Sequence, residues 1–321
     1  MRRICLFVWV IPLFPHLLVP IANAQKNATS LVRAGNFLFV PVSVNRGTPS
    51  WWLLDTGAPS SEIDTEAARA LHLLPDSSRL GDSDDGAGSG EKAAVQAGSL
   101  EIGNFSTGGA KLVAKTLSEL NRGPLPVGWS GEFKRDGMIG MDLLLRQNAI
   151  VDWSSQQIIL APPNDPGRTR AAHDREGFTY IPLSITAENH LEVIGRLGNS
   201  EYRFYIDTGN PKTLLKQSVV EAEKLSSEIT QAEVHNPSHN FANAKVRSVT
   251  ADGLRLGSFD MSGQKVHSAN FNLSDSEGGS AWGGLIGADI LWSYDAILDV
   301  GKRALYLRAK PSVRNDFPAV H

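Results

Sequence analysis

An apolar, strand-like run ending in Asp-Thr-Gly occurs twice in this chain. The first copy is Trp51-Trp52-Leu53-Leu54-Asp55-Thr56-Gly57-Ala58-Pro59-Ser60-Ser61 and the second is Tyr202-Arg203-Phe204-Tyr205-Ile206-Asp207-Thr208-Gly209-Asn210-Pro211-Lys212-Thr213. A carboxylate at the end of a buried strand is costly unless it is hydrogen-bonded or paired. Two of them in matching settings are expected to meet, and two carboxyls in contact hold one proton between them. A single Asp-Thr-Gly is an ordinary strand-to-turn junction, where Asp and Gly are common. The duplication gives the motif its weight.

Other blocks repeat in the same order, about 150 residues apart. Leu100-Glu101-Ile102-Gly103 matches Leu254-Arg255-Leu256-Gly257, and Gly137 to Leu144 matches Gly284 to Leu291. The strand pair Ala149 to Trp153 and Gln157 to Leu160 matches Ile297 to Val300 and Leu305 to Leu307. Tyr180 to Ile185 is read as the counterpart of the strand Phe37 to Val44, its proline included. Two copies are too few for a solenoid. They predict two lobes related by a pseudo-two-fold axis.

Within the first half, Phe37 to Val44, a turn at 45–49 and the Asp55 strand read as a hairpin. Glu62 to Leu74 has helical character, capped by Asp64 or Thr65. The Gly-rich stretch 81–90 and the stretch 235–244 read as loops and as the candidate lids. The expected layout is a signal at 1–24, an N-terminal lobe at 25–160, a Pro- and Gly-rich linker at 161–176 and a C-terminal lobe at 177–321.

Residues 1–24 carry Arg2 and Arg3, then an apolar stretch broken by prolines, then Ala22-Asn23-Ala24, a small-x-small cleavage site. That predicts export to a periplasm or beyond, or an N-terminal anchor if the segment stays. After cleavage no stable membrane insertion is expected. The one cysteine, Cys5, lies in this segment, so the mature chain has no disulfide and relies on its core. With 20% charged residues and a net charge of −3, nothing points to a nucleic-acid partner.

These marks resemble the retropepsin-like and pepsin-like aspartic proteases, over roughly residues 35–310. The resemblance rests on each Asp-Thr-Gly after an apolar strand and on the downstream Met138-Ile139-Gly140 and Leu285-Ile286-Gly287. The form Gly-Met-Ile-Gly-Met-Asp-Leu-Leu is especially like bacterial retropepsin-like proteins. It implies a mostly β, bilobal fold with two closed, barrel-like lobes and short helices. It also implies that Asp55 and Asp207 are the catalytic pair. Thr56 and Thr208 would bond across the lobe junction, and Gly57 and Gly209 would let the loops approach. Gly140 and Gly287 would sit in psi-shaped turns beside them. Ala58 and Asn210 stand where pepsins carry Ser or Thr, Ala being common there in retropepsins. No Tyr lies between Asp55 and Gly103 to serve as a pepsin-like flap residue.

Amide hydrolysis by such a pair needs one ionised carboxyl to take a proton from water and one protonated carboxyl to donate. The expected function is an exported aspartic endopeptidase acting on peptides or proteins, with no metal or cofactor, as a monomer or alternatively a dimer. The rival readings are a catalytically inactive peptide-binding or scaffold protein on the same fold and a two-carboxylate glycosidase. The latter needs carboxyls about 5 Å or more apart. His235 and His239 have a metal-ligand spacing, but Pro237 between them argues against a helix and no acidic third ligand is evident. Asp142 and Asp289 are read as caps of the following short helices, and Asp152 and Asp299 as structural. Trp129 and Trp282 are read as loop residues that either line a substrate pocket or pack.

Overall fold

The computed structural model describes residues 28–74, 81–82, 91–160, 177–229, 246–270 and 280–309. The signal and Cys5, the linker 161–176, most of the 81–90 loop, and the 235–244 stretch with His235 and His239 lie outside the described residues.

The chain is mostly β. Its first ten-stranded sheet runs in the order Gly81–Asp82, Glu91–Ala97, Ala110–Lys115, Glu62–Asp64, Arg135–Ile139, Ser50–Leu54, Phe37–Val44, Leu100–Ile102, Phe105–Ser106, with Val32–Ala34 beside Phe37–Val44. The second runs Ser227–Ile229, Arg247–Ala251, Gln264–Ala269, Leu214–Lys216, Trp282–Ile286, Ser200–Ile206, Leu191–Leu197, Arg255–Leu256, Phe259–Asp260, with Ser184–Ile185 beside Leu191–Leu197. Position for position, the two orders are the same.

A third, six-stranded sheet is shared. Ala28–Ser30, Gln157–Ile159 and Ile150–Asp152 come from the first half, and Ile297–Asp299, Ala304–Leu307 and Thr179–Pro182 from the second. The halves meet at its centre, where Val151 faces Leu298.

The hairpin Phe37–Val44 to Ser50–Leu54 is present, with Phe39 opposite Leu53. Asn45 and Arg46 both have positive φ, and Gly47 N–H donates to Val44 O at 2.9 Å, which makes the tight turn. The Asn45 side chain accepts from the Gly98 and Ser99 amides and ties this turn to the next strand. Phe37–Val44 is dense in aromatic and β-branched residues, which suits a strand covered on both faces. Leu38, Val40 and Val42 enter the main core, and Phe37 and Phe39 enter a smaller cluster with Leu53, Phe133 and Met138. The main core contains residues of both halves.

Two expectations are corrected here. Glu62–Asp64 is a strand, and the helix is Thr65–Ala70, with the Asp64 carboxylate accepting from Glu66 N. Pairing on both sides, to Ala110–Lys115 and Arg135–Ile139, overrides the local helical pattern. Tyr180 to Ile185 is not the counterpart of Phe37–Val44. Thr179–Pro182 belongs to the shared sheet, opposite Ala304–Leu307. The true counterpart is Leu191–Leu197, which pairs with the strand leading to Asp207.

The two candidate lid stretches fall at equivalent places. Residues 83–90 join Gly81–Asp82 to Glu91–Ala97, and residues 230–245 fall between Ser227–Ile229 and Arg247–Ala251. No helix among the described residues is long and apolar enough to cross a membrane.

Candidate active site

Ser50–Leu54 and Ser200–Ile206 each deliver an Asp at the strand end. Each runs parallel to a neighbour from the same half, Ser50–Leu54 to Arg135–Ile139 and Ser200–Ile206 to Trp282–Ile286. That parallel neighbour holds the Asp backbone. Asp55 N–H donates to Ile139 O and Asp207 N–H to Ile286 O, both at 3.0 Å. The chain then turns back, and Met141 N–H and Ala288 N–H each donate at 2.9 Å to Ala58 O and Asn210 O.

Gly140 and Gly287 stand at the crossing. A Cβ on Gly140 would overlap the Ser60 backbone, and one on Gly287 the Lys212 backbone. Their φ values of −92° and −90° are ordinary, so space, not conformation, requires glycine.

The two loops face each other. Thr56 N–H donates to Thr208 Oγ1 at 3.0 Å, and Thr208 N–H to Thr56 Oγ1 at 3.1 Å. Each hydroxyl then donates across the junction, Thr56 to Ile206 O at 2.6 Å and Thr208 to Leu54 O at 2.7 Å. This closed ring satisfies every polar atom it uses. In a dry interior such a network fixes geometry, because breaking one member strands the others.

The ring brings Asp55 and Asp207 together. A methyl group on Gly57 would collide with the Asp207 carboxyl, and one on Gly209 with the Asp55 carboxyl. Gly57 N–H donates to Asp55 Oδ1 at 2.8 Å and Gly209 N–H to Asp207 Oδ1 at 3.0 Å. Each carboxyl lies against the opposite loop's glycine, so the two face each other across the junction. Burial raises the pKa of both. Asp207 is raised furthest, well above the usual carboxylate range, because the Asp55 charge and hydrogen bond add to its burial. Asp55 is raised by burial and partly restored by the Gly57 and Ala58 amides and by the Lys115 charge. Both upward shifts belong to the pair, which titrates as one unit.

Asp142 and Asp289 do not cap their helices from the N-cap position, which Gly140 and Gly287 occupy. Instead Asp142 Oδ1 accepts from Ser61 N at 2.8 Å, Ser61 Oγ at 2.7 Å and Leu143 N at 2.7 Å. Asp289 Oδ1 accepts in the same way from Thr213 N, Thr213 Oγ1 and Ile290 N, each at 2.8 Å. Ser61 Oγ and Thr213 Oγ1 in turn accept from Gly140 N and Gly287 N. These carboxylates brace the chain just past each Asp-Thr-Gly. Their recurrence in register was the available signal. Asp152 and Asp299 are structural. Asp152 accepts from Ser154 and Ser155, and Asp299 from Lys302 N.

Trp282 lies on a strand, not in a loop, and is buried. It packs 3.9 Å from Tyr205 and under the Arg203 guanidinium at 4.4 Å. Trp129 is 37% exposed and packs edge-on against Trp51 and Phe133.

None of the curated proteins matches the chain in sequence. The structure of basic 7S globulin from soybean aligns with 88% of this chain and 94% of its own, at 13% identity and a TM-score of 0.47. The family model described as aspartyl protease matches residues 40–143, the span from the first hairpin through Asp55 to the helix after Gly140. Over that span the chain is similar to the aspartyl proteases.

Proposed function

We propose that this protein is an exported aspartic endopeptidase with one active site, in which Asp55 and Asp207 activate water at the junction of the halves. Ionised Asp55 takes a proton from water as its oxygen attacks the scissile carbonyl carbon. Protonated Asp207 gives its proton to the carbonyl oxygen, and a tetrahedral diol forms. Asp55 then hands its proton to the leaving amine, the C–N bond breaks, and Asp207 recovers a proton from the diol. Thr56, Thr208, Gly57 and Gly209 hold the carboxyls in place. Gly140 and Gly287 let the chain cross behind them. No metal or cofactor takes part, and the substrate is a peptide or protein lying between the halves.

The observation that supports this most is the face-to-face pair of buried carboxyls, both with pKa raised by burial, clamped by the threonine ring. The export half of the reading rests on residues 1–24. Secreted protein whose N-terminal sequence starts near Gln25 is the expected result.

Purified protein is expected to cleave a peptide library between acidic and neutral pH and to bind a statine-type inhibitor. Asp55→Asn and Asp207→Asn are each expected to remove cleavage. Half-activity in Asp55→Asn would mean that each half builds its own site with a second chain. Peptide binding with no cleavage at any pH would make this a non-catalytic peptide binder.

A further inference from the structure

Each Asp ends a row of side chains on one face of its strand, because residues two apart share a face. In the first half the row is Trp51, Leu53, Asp55; in the second it is Arg203, Tyr205, Asp207. Register adds the neighbouring strand: Phe39 stands opposite Leu53, and Glu192 opposite Tyr205. Two residues earlier on those neighbours come Phe37 and His190. The same places are thus Phe37, Phe39, Leu53 and Asp55 in one half and His190, Glu192, Tyr205 and Asp207 in the other.

In the first half this face is closed. Leu53 is fully buried, Phe37 and Phe39 are buried beside it, and Leu117, Leu120 and Phe133 join the same cluster. In the second half His190, Glu192, Tyr205 and Asp207 are all partly exposed. The His190 ring lies 4.9 Å from that of Tyr205, which lies 3.9 Å from Trp282. His190 N–H donates to Thr186 Oγ1 at 3.2 Å and Thr186 N–H to His190 O at 2.9 Å, which fixes the turn that presents the imidazole.

Most polar groups on this face are engaged. Glu192 Oε1 accepts from Ser184 Oγ at 3.0 Å and its Oε2 lies 3.9 Å from Arg203 Nη1, while Arg203 donates to Ser280 O. The Tyr205 hydroxyl and the His190 ring nitrogens have no hydrogen-bond partner among the described residues. Unlike Glu192 Oε2 and Trp282 Nε1, they are not sealed from solvent. Burial holds the Tyr205 hydroxyl protonated, its pKa pushed up to about 12 with the Glu188 and Glu192 charges adding to the shift. Burial also lowers the His190 pKa, toward the neutral ring. Two residues from Asp207, about 7 Å along the strand, there stand an O–H donor and, packed on it, an imidazole able to donate and to accept.

We infer that Tyr205 and His190 are specificity-determining residues: on the Asp207 side of the cleft they take an uncharged amide side chain of the substrate, Gln or Asn. The amide oxygen accepts from the Tyr205 hydroxyl, and the amide N–H donates to a His190 nitrogen. Glu188 and Glu192, which flank His190, repel a carboxylate at this place, and the Glu192 charge is answered by Arg203 rather than by a substrate cation. An apolar side chain would cover both groups and leave them unsatisfied. This inference rests on the dyad reading above and deepens it.

The test compares peptides that differ only by Gln, Met or Lys at one position, scanned along the peptide; Met matches Gln in shape without its amide. The first readout is kcat/KM, and the second is equilibrium binding of statine-type inhibitors carrying the same replacements. For the wild-type protein one position is expected to favour Gln over Met by about tenfold, the size of two net hydrogen bonds. Tyr205→Phe, which keeps the ring, is expected to lower that ratio by about threefold or more. His190→Phe, which copies the first half, is expected to lower it by a similar factor, and thermal melting checks that both variants fold. A folded Tyr205→Phe with an unchanged Gln-to-Met ratio, or a wild type that favours Met or Lys over Gln at every position, overturns this inference and leaves the dyad reading intact. A wild type that neither cleaves nor binds the inhibitors overturns both.

Discussion

The two halves share their hydrogen bonds far more closely than their side chains. Both have the Asp amide on the neighbouring strand, the crossed threonines, a Ser or Thr hydroxyl under a glycine amide, and a braced carboxylate. Elsewhere they diverge. The first half pairs Trp51 with Arg135 across two strands; the second pairs Arg203 with Trp282, the same partners in exchanged places. Arg135 is buried over Phe39 and Phe133 and donates to the carbonyls of Gly123 and Pro124. Arg203 stacks on Trp282 and donates to Ser280 O. The threonine ring, the Asp amide contacts and the braced turns past each Asp-Thr-Gly are common to both halves. What differs is what lies around that frame, including Leu53 against Tyr205.

The largest expected effect tests the common part. Asp55→Asn and Asp207→Asn should each lower kcat by on the order of 10³-fold or more, since each removes one of two proton-transfer partners. A difference of more than about tenfold between them in steady-state assays would break the equivalence of the two loops.

The braces come next. Asp142→Ala and Asp289→Ala each leave a buried turn without its acceptor and should each cost roughly 2–3 kcal/mol in urea unfolding. Equal losses would sharpen the view that the two turns are one device used twice.

The exchanged Arg–Trp pair should give unequal losses. Arg135→Leu leaves two carbonyls without their donor and should cost about 2 kcal/mol, while Arg203→Leu, nearer the surface, should cost about 1 kcal/mol. Equal values would mean that the different burial of the two guanidiniums does not matter.

The smallest effect concerns pH. The Asp207 pKa is raised on folding, so its contribution to stability is fully present below the unfolded carboxylate range and is lost as pH rises through the folded value. Asp207→Asn removes that loss. Its melting temperature should exceed that of the wild type at neutral pH, and the gap should close on acidification. By the same shift, cleavage should fall on the alkaline side as Asp207 gives up its proton, which a pH–rate profile would record.

Much of this was legible in the sequence because it was written there twice. The doubled Asp-Thr-Gly located both Asp loops, and the repeated glycine block located the turns that cross behind them; the parallel pairing of the flanking strands came only from the structure. The strand ending at Val44 and its hairpin followed from apolar pattern and turn residues. Other features escaped because their cause lies far along the chain. Asp142 bonds Ser61, 81 residues away, so a local reading saw only a helix start. Glu62 reads as helical next to Asp64, and only its two sheet neighbours make it a strand. Tyr180 to Ile185 resembles Phe37–Val44 in composition, while pairing assigns that place to Leu191–Leu197.

The shared sheet has a consequence for the molecule as a piece of polymer. Cut after Leu160, the first half would present Ile150–Asp152 as a raw edge, stripped of Ile297–Asp299. Bare edges recruit whatever strand fits them. The register around Val151 and Leu298 is nearly self-complementary, so a second copy of the fragment is the natural replacement. A truncated chain should therefore sediment as a pair, recreating from two identical pieces what the full-length protein builds from one.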